Sequence, residues 1–381
     1  MSVIRPKPPQ DPVRYDPRAA DIDASDQGRD SFDAFRMRAL AHPAGAEPKR
    51  LLDEYSRDRP ASELFGLLAH ARQVRDSVDR IVLVGDSPSI EAVRCLFETC
   101  CHPQHNELSR SERGGRPRLT TLEASVDNDS AAAALDLLIS SGMARHDLVG
   151  RFALLVIADG EGEAPLAAAS AAMRSRNDFL QGPQTVVDRH ASGPADVEST
   201  WPLVACGTSM AIERFLRDVP AHAGNWSRLV LPPGLAEGIA PISAATLLPA
   251  AILGADVVRL LEGAVAAFTR LLEAPAEVNP LAWLDRIASL DGDPVARIEP
   301  LARWHAALRR VSGLSRNGRS ARIDGGEPRR DRVLDAVGRP WPSRQQAKGA
   351  SILMPRVDEH AVGQLLETLL AATVGGRPVQ P

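Results

Sequence analysis

The sequence predicts an α/β fold: an open, mostly parallel sheet with helices on both faces, followed by a second, smaller domain. Three observations predict it. Two short apolar runs, Arg80-Ile81-Val82-Leu83-Val84-Gly85 and Phe152-Ala153-Leu154-Leu155-Val156-Ile157, have the length and continuity of strands buried on both faces. Segments with apolar residues at helical spacing alternate with such runs, the signature of strand–helix–strand winding. A length of 381 residues with 44% hydrophobic side chains is enough for two to three domains at roughly 150 residues each.

In chain order, residues 1–45 are rich in Pro, Asp and Arg and read as a tail ending in a short helix near residues 32–40. Residues 61–79 read as an amphipathic helix leading into the strand at 80–85. The segment after it, 89–101, places Ile90, Val93, Leu96, Phe97 and Cys100 on one helical face. A second unit follows: a helix at 132–141, the strand at 152–157 and an Ala-rich helix at 165–174. Residues 203–206 and 228–231 read as further short strands. Because ligands of such sheets lie beyond the carboxyl ends of the strands, the turns after Val84 and Ile157 are the places to look for a site. A long apolar helix is predicted over 244–269, and the Pro-punctuated segment 274–280 suggests a change of domain. The stretch 315–342, rich in Arg, Gly and Asp, reads as a long loop. The expected domains are therefore 1–45, a tail with a short helix; 46–245, the first α/β domain; and 246–381, a connecting helix with a truncated second domain.

Charge and cysteine content narrow the function classes. Lys and Arg total 45 against 49 Asp and Glu, a formal net charge of -4 spread along the chain. That balance gives no footprint for nucleic acid or for an anionic membrane. No run approaches the ~18 apolar residues of a membrane span, and the first ten residues lack the apolar core of a signal peptide, so the expected address is cytoplasmic. The four cysteines, Cys95, Cys100, Cys101 and Cys206, form no disulfide framework. Cys100-Cys101-His102 is not expected to bind metal, because adjacent helical residues point about 100° apart and no second ligand pair follows at zinc-like spacing.

Several segments in order carry a resemblance. These are Cys101-His102-Pro103-Gln104-His105-Asn106-Glu107-Leu108-Ser109-Arg110, continuing through Glu112-Arg113-Gly114-Gly115-Arg116-Pro117-Arg118, and then Val126-Asp127-Asn128-Asp129. Leu247-Leu248-Pro249-Ala250-Ala251, Leu260-Leu261-Glu262-Gly263-Ala264 and Ser343-Arg344-Gln345-Gln346 follow. Together they resemble the glucose-6-phosphate isomerase family, in its shorter bacterial, planctomycete-type forms, over about residues 60–355. The resemblance implies two sugar-isomerase (SIS) type sheets with flavodoxin-like or Rossmann-like layers, the second one truncated here. It also implies aldose–ketose isomerisation in glycolysis and gluconeogenesis, no metal or organic cofactor, and a sugar phosphate or other small carbohydrate derivative as ligand. As partners it implies a second copy of the chain or an active isomerase, pairing through the apolar helix at 247–267.

The same resemblance shows what has changed. The family's first phosphate loop, a Gly-x-Gly-Gly-Ser turn, falls on Gly85-Asp86-Ser87-Pro88-Ser89. Gly85, Ser87 and Ser89 are the substrate-binding candidates, but Pro88 has no N–H to donate and Asp86 adds negative charge. The simpler reading of these residues is Ser87 as a helix N-cap with Pro88 at the first helical position. The second loop falls on Ala158-Asp159-Gly160-Glu161-Gly162-Glu163, where the family's lysine and hydroxyls are replaced by three carboxylates. A unit-charge pair at about 4 Å is worth about 1 kcal/mol in water and about 4 kcal/mol near a protein surface, so this loop opposes a dianionic phosphate. A solvated acidic loop is one reading and a cation site the other, although the spacing matches no standard calcium loop.

The family's transition-state arginine falls on Gly238, its glutamate base near Val311 and its ring-opening histidine on Ala347. No carboxylate lies between Glu299 and Asp324, and the family's terminal lysine has no counterpart before Pro381. A chain with these positions substituted is expected to be catalytically impaired. The alternative is an active isomerase using displaced groups such as His305, Glu237 and Arg344. The His105–Arg110 motif is expected to pack and cap a loop rather than to catalyse, and Asp127-Asn128-Asp129 to form a turn and helix cap.

Overall fold

The computed structural model describes residues 14–16, 29–85, 87–123, 152–158, 203–218, 226–231, 235, 242–275, 279, 322–327, 351–356 and 358–375. Two compact units emerge, one from Arg50–Ala255 and one combining Met1–Lys49 with Asp256–Pro381.

The unit 50–255 is organised by five strands: β2 (Arg80–Gly85), β3 (Arg118–Glu123), β4 (Phe152–Ala158), β5 (Leu203–Gly207) and β6 (Trp226–Val230). They are all parallel and lie in the order β3-β2-β4-β5-β6. Ile81 to Val84 and Ala153 to Ile157 are each 1% exposed or less, as central strands covered on both faces require. Around them stand α3 (Glu63–Ser77), α4 (Ser87–Cys100), α5 (Ser209–Asp218) and α6 (Ala244–Leu253). Ser62 starts α3 by accepting the Phe65 N–H on its Oγ at 3.3 Å. The expected helices at 132–141 and 165–174 lie outside the described residues.

The predicted helix 244–269 is two helices. α6 ends at Gly254, whose φ of +93° is left-handed backbone that glycine adopts without strain. The next helix, α7 (Val257–Glu273), opens at Asp256, whose Oδ1 accepts the Arg259 N–H at 3.1 Å. Glycine as a stop and aspartate as a start are both visible in the sequence, but the unbroken apolar pattern across them masks the junction. All ten residues of α6 are buried.

The other unit contains β1 (Arg14–Asp16), α1 (Arg29–Ala41), the start of α2 (Pro43–Arg57), α7, β7 (Arg322–Glu327), β8 (Ser351–Arg356) and α8 (Glu359–Gly375). Its described sheet runs β1-β8-β7, with β7 and β8 parallel and β1 antiparallel to β8. β1 comes from the segment whose composition reads as a tail; three residues carry too little pattern to be seen. α7 and α8 meet backbone to backbone. A Cβ on Gly263 would lie 2.0 Å from the His360 carbonyl oxygen, and one on Gly363 would lie 2.0 Å from that of Leu260. Only glycine fits at either point. Among the described residues, no helix is long and apolar enough to cross a membrane.

Candidate functional site

The position of the site follows from the winding of the first sheet. The chain passes from β2 outward to β3, then returns to the other side of β2 as β4. The winding therefore reverses between β2 and β4, the point at which such sheets have their crevice, over the carboxyl ends of these two strands. At this point stand Gly85 at the end of β2 and Ala158 at the end of β4, with Glu123 of β3 in register with Gly85 and Gly207 of β5 in register with Ala158.

Three of the predicted residues come together here. Gly85 ends β2, Ser87 opens α4 and Ser89 sits in the first turn of that helix. Pro88 lies in the same turn, where its missing N–H breaks no intrahelical bond but removes a donor from the helix N-terminus. Ser89 is 2% exposed, so its hydroxyl is enclosed by protein rather than presented to solvent. A Cβ on Gly85 would meet Ile157 Cβ at 3.4 Å and Ile90 Cδ1 at 3.7 Å, which are ordinary contacts. The packing around β2 thus has room for alanine at position 85.

Two residues at this rim escaped the sequence reading. Thr208 follows β5 and caps α5, accepting the Ala211 N–H on Oγ1 at 3.2 Å and the Ile212 N–H on its carbonyl at 2.9 Å. A hydroxyl directly after an apolar run is a cap signal and could have identified it. Glu123 ends an edge strand whose Arg-Leu-Thr-Thr-Leu-Glu sequence is too polar to stand out. The helices α4 and α5 both start at this end of the sheet, and their N-termini favour an anion. Asp86, Asp159, Glu161 and Glu163 lie outside the described residues, as do Gly238, Val311, Ala347, His305, Glu237, Arg344 and the Asp127–Asp129 turn.

The His105–Arg110 motif sits elsewhere and packs the loop against the edge strand. His105 is buried, with Nε2 2.9 Å from the Pro117 carbonyl and its ring edge-on to Phe97 at 5.2 Å. Asn106 Nδ2 donates to the Leu119 carbonyl at 2.9 Å, and its Oδ1 accepts the Leu119 N–H at 3.0 Å. Its amide thus does for β3 what a neighbouring strand would do, closing part of an exposed edge. Ser109 Oγ donates to Glu112 at 2.6 Å and its N–H to the same carboxylate at 2.8 Å, which holds that carboxyl below the usual range. On the other side of β3, Arg94 reaches Thr121 at 2.6 Å and Glu91 at 2.9 Å. Among the described residues no group of three or more His, Cys, Asp or Glu is placed to hold a metal ion. All four cysteines are buried and unlinked, and Cys101 Sγ lies 3.6 Å from the Leu253 carbonyl.

No protein-family model matches the chain, and no curated protein matches it. Solved structures do match. A hypothetical protein from Thermus thermophilus has a TM-score of 0.56 at 18% identity, over 95% of this chain and 93% of its own. A glucose-6-phosphate isomerase from Chlamydia trachomatis has a TM-score of 0.54 at 13% identity, over 90% of this chain and 72% of its own. At these identities the likeness is one of fold: the chain is built on a distant variant of the architecture seen in that isomerase.

Proposed function

We propose that this protein is a relative of glucose-6-phosphate isomerase that has kept the fold and lost the isomerase chemistry, so that it acts by binding. The observation that carries this reading is the start of α4 at the crevice. The position of the family's first phosphate loop holds a proline in the helix's first turn and a serine that is 2% exposed. Two of the donors that would grip a phosphate are thereby removed or enclosed. The likeness in fold to an isomerase supports the ancestry, and the substitutions at Gly238, Val311 and Ala347 support the loss of chemistry. Missing one general acid or base costs about 10²- to 10⁴-fold and one charge-stabilising donor about 10²- to 10³-fold. The small-molecule ligand of this reading is a carbohydrate derivative with less negative charge than a phosphate ester, and the protein pairs with itself or with an active isomerase.

An assay with enzyme in excess over glucose 6-phosphate tests the reading. The expected result is no fructose 6-phosphate above the uncatalysed rate. Turnover that co-purifies with the protein and disappears in His305→Ala or Glu237→Gln would establish a rebuilt active site instead.

A further inference from the structure

The other end of the first sheet carries a concentration of charge that the isomerase reading does not use. Arg80 and Arg118 begin β2 and β3 and are direct neighbours in the parallel register. Arg80 Nη1 donates to Thr120 Oγ1 at 2.8 Å, which keeps its guanidinium on the face it shares with Arg118. Arg113 and Arg118 converge on one acceptor, the Leu108 carbonyl; the Arg118 Nη2 contact is 3.3 Å. Arg113 also holds the Arg116 carbonyl at 2.9 Å, and Arg118 the Asn106 carbonyl at 2.7 Å. Arg110 bonds to the carbonyls of Val78, at 2.7 Å, and Arg75, at 3.2 Å, and to the Asp79 carboxylate.

Four guanidiniums therefore surround the starts of two adjacent strands, and Asp79 forms an ion pair with Arg110. Glu112 is engaged with Ser109, and Asp76 with Arg75. Arg113 is 5% exposed, a depth at which an arginine is ordinarily paired. Backbone carbonyls satisfy hydrogen bonds but bring no compensating charge. Burial first, and then the neighbouring Arg118, hold the pKa of both Arg80 and Arg113 below the ordinary value, with Asp79 partly offsetting this at Arg113.

From this arrangement we infer a second ligand site, at the amino-terminal end of the β2–β3 pair, in which Arg80, Arg110, Arg113 and Arg118 bind the phosphate group of a small phosphorylated metabolite. Guanidinium forks match phosphate oxygens in pairs, and an anion supplies the missing charge. The chain's overall charge of -4 and the confinement of the positive groups to one spot favour a small anion over a nucleic acid. The six residues of β2 separate this site from the crevice by roughly 17 Å, so the two can be tested apart.

Inorganic phosphate is the probe, titrated into the full chain at low ionic strength against sodium chloride of matched ionic strength, with binding followed by calorimetry and thermal unfolding. Phosphate is expected to bind and to raise the melting temperature, and Arg80→Gln to weaken binding by about tenfold or more. Without phosphate, Arg80→Gln should melt at or above the wild-type temperature, because it removes an unpaired like charge; a purely structural arginine would instead lower it. Arg80→Lys, which keeps the charge and loses the fork, should give intermediate affinity and stands in should the glutamine variant fail to fold. The proposal is overturned if phosphate does not bind, or if both Arg80 variants bind it with wild-type affinity. It is also overturned if Ser87→Ala with Ser89→Ala abolishes binding while Arg80→Gln leaves it intact, which would put the anion in the crevice.

Discussion

Asn106 shows how much one side chain can do when it takes the place of a strand. Its amide pairs both backbone groups of Leu119 on the edge strand. Asn106→Ala leaves both unpaired and should destabilise the 50–255 unit by about 1–3 kcal/mol, read as a lower denaturant midpoint. Asn106→Asp keeps only the acceptor and should fall between the two. In the second unit the informative residue is Glu367, which is 1% exposed, with neither carboxylate oxygen holding a hydrogen bond. Burial pushes its pKa well above the ordinary carboxylate value. The sign follows from linkage: the folded protein keeps the proton at pH values where the unfolded chain has released it, so stability is complete below the unfolded pKa and falls as pH rises toward the folded one. Glu367→Gln should match the wild type near pH 4 and melt higher by roughly 1–3 °C or more at pH 8. Equal melting temperatures at both pH values would contradict this account of the site. Neither residue's role is legible from sequence. Asn106 lies in a segment identifiable as a packing loop, but its hydrogen bonds span 13 positions; Glu367 occupies a helix whose apolar neighbours give no sign that its carboxylate is unpartnered.

At the scale of elements, sequence reading succeeds where one periodicity governs a whole segment and fails where two constraints compete. β2, β4, α3 and α4 are predictable because burial on both faces, or on one, imposes a single pattern. The break between α6 and α7 is missed because the apolar run continues through it, although Gly254 and Asp256 are a stop and a start. β3 is missed because an edge strand with polar residues on its open side has no apolar run to announce it. The α7–α8 crossing rests on a long-range fact, the approach of Gly263 and Gly363 to carbonyls of the facing helix. Gly363→Ala puts a methyl group where the Leu260 carbonyl stands and should cost about 2–4 kcal/mol, measured by chemical unfolding. At Gly85, where the contacts are ordinary, alanine should cost about 1 kcal/mol or less. The contrast between the two substitutions separates a glycine the fold demands from one it does not.

For the whole molecule, the fold and the chemistry are separate questions. The parallel sheet and its strand order are those of a doubly wound α/β domain, and solved structures share the architecture. The ends of β2 and β4, where the winding rule looks for a ligand, were legible from the runs ending at Val84 and Ile157. The loops that follow these strand ends obey no periodicity. Function lies in a site's side chains rather than in the fold. Isomerisation requires a base that carries a proton between two carbons of the sugar, and exchange of that proton with solvent reports the base even when net turnover is too slow to see. The most direct measurement is therefore incubation of glucose 6-phosphate with excess protein in deuterium oxide, followed by NMR at the C2 position. The account predicts no deuterium incorporation beyond the protein-free control; incorporation that scales with protein concentration would contradict it and show that a working base remains in the site.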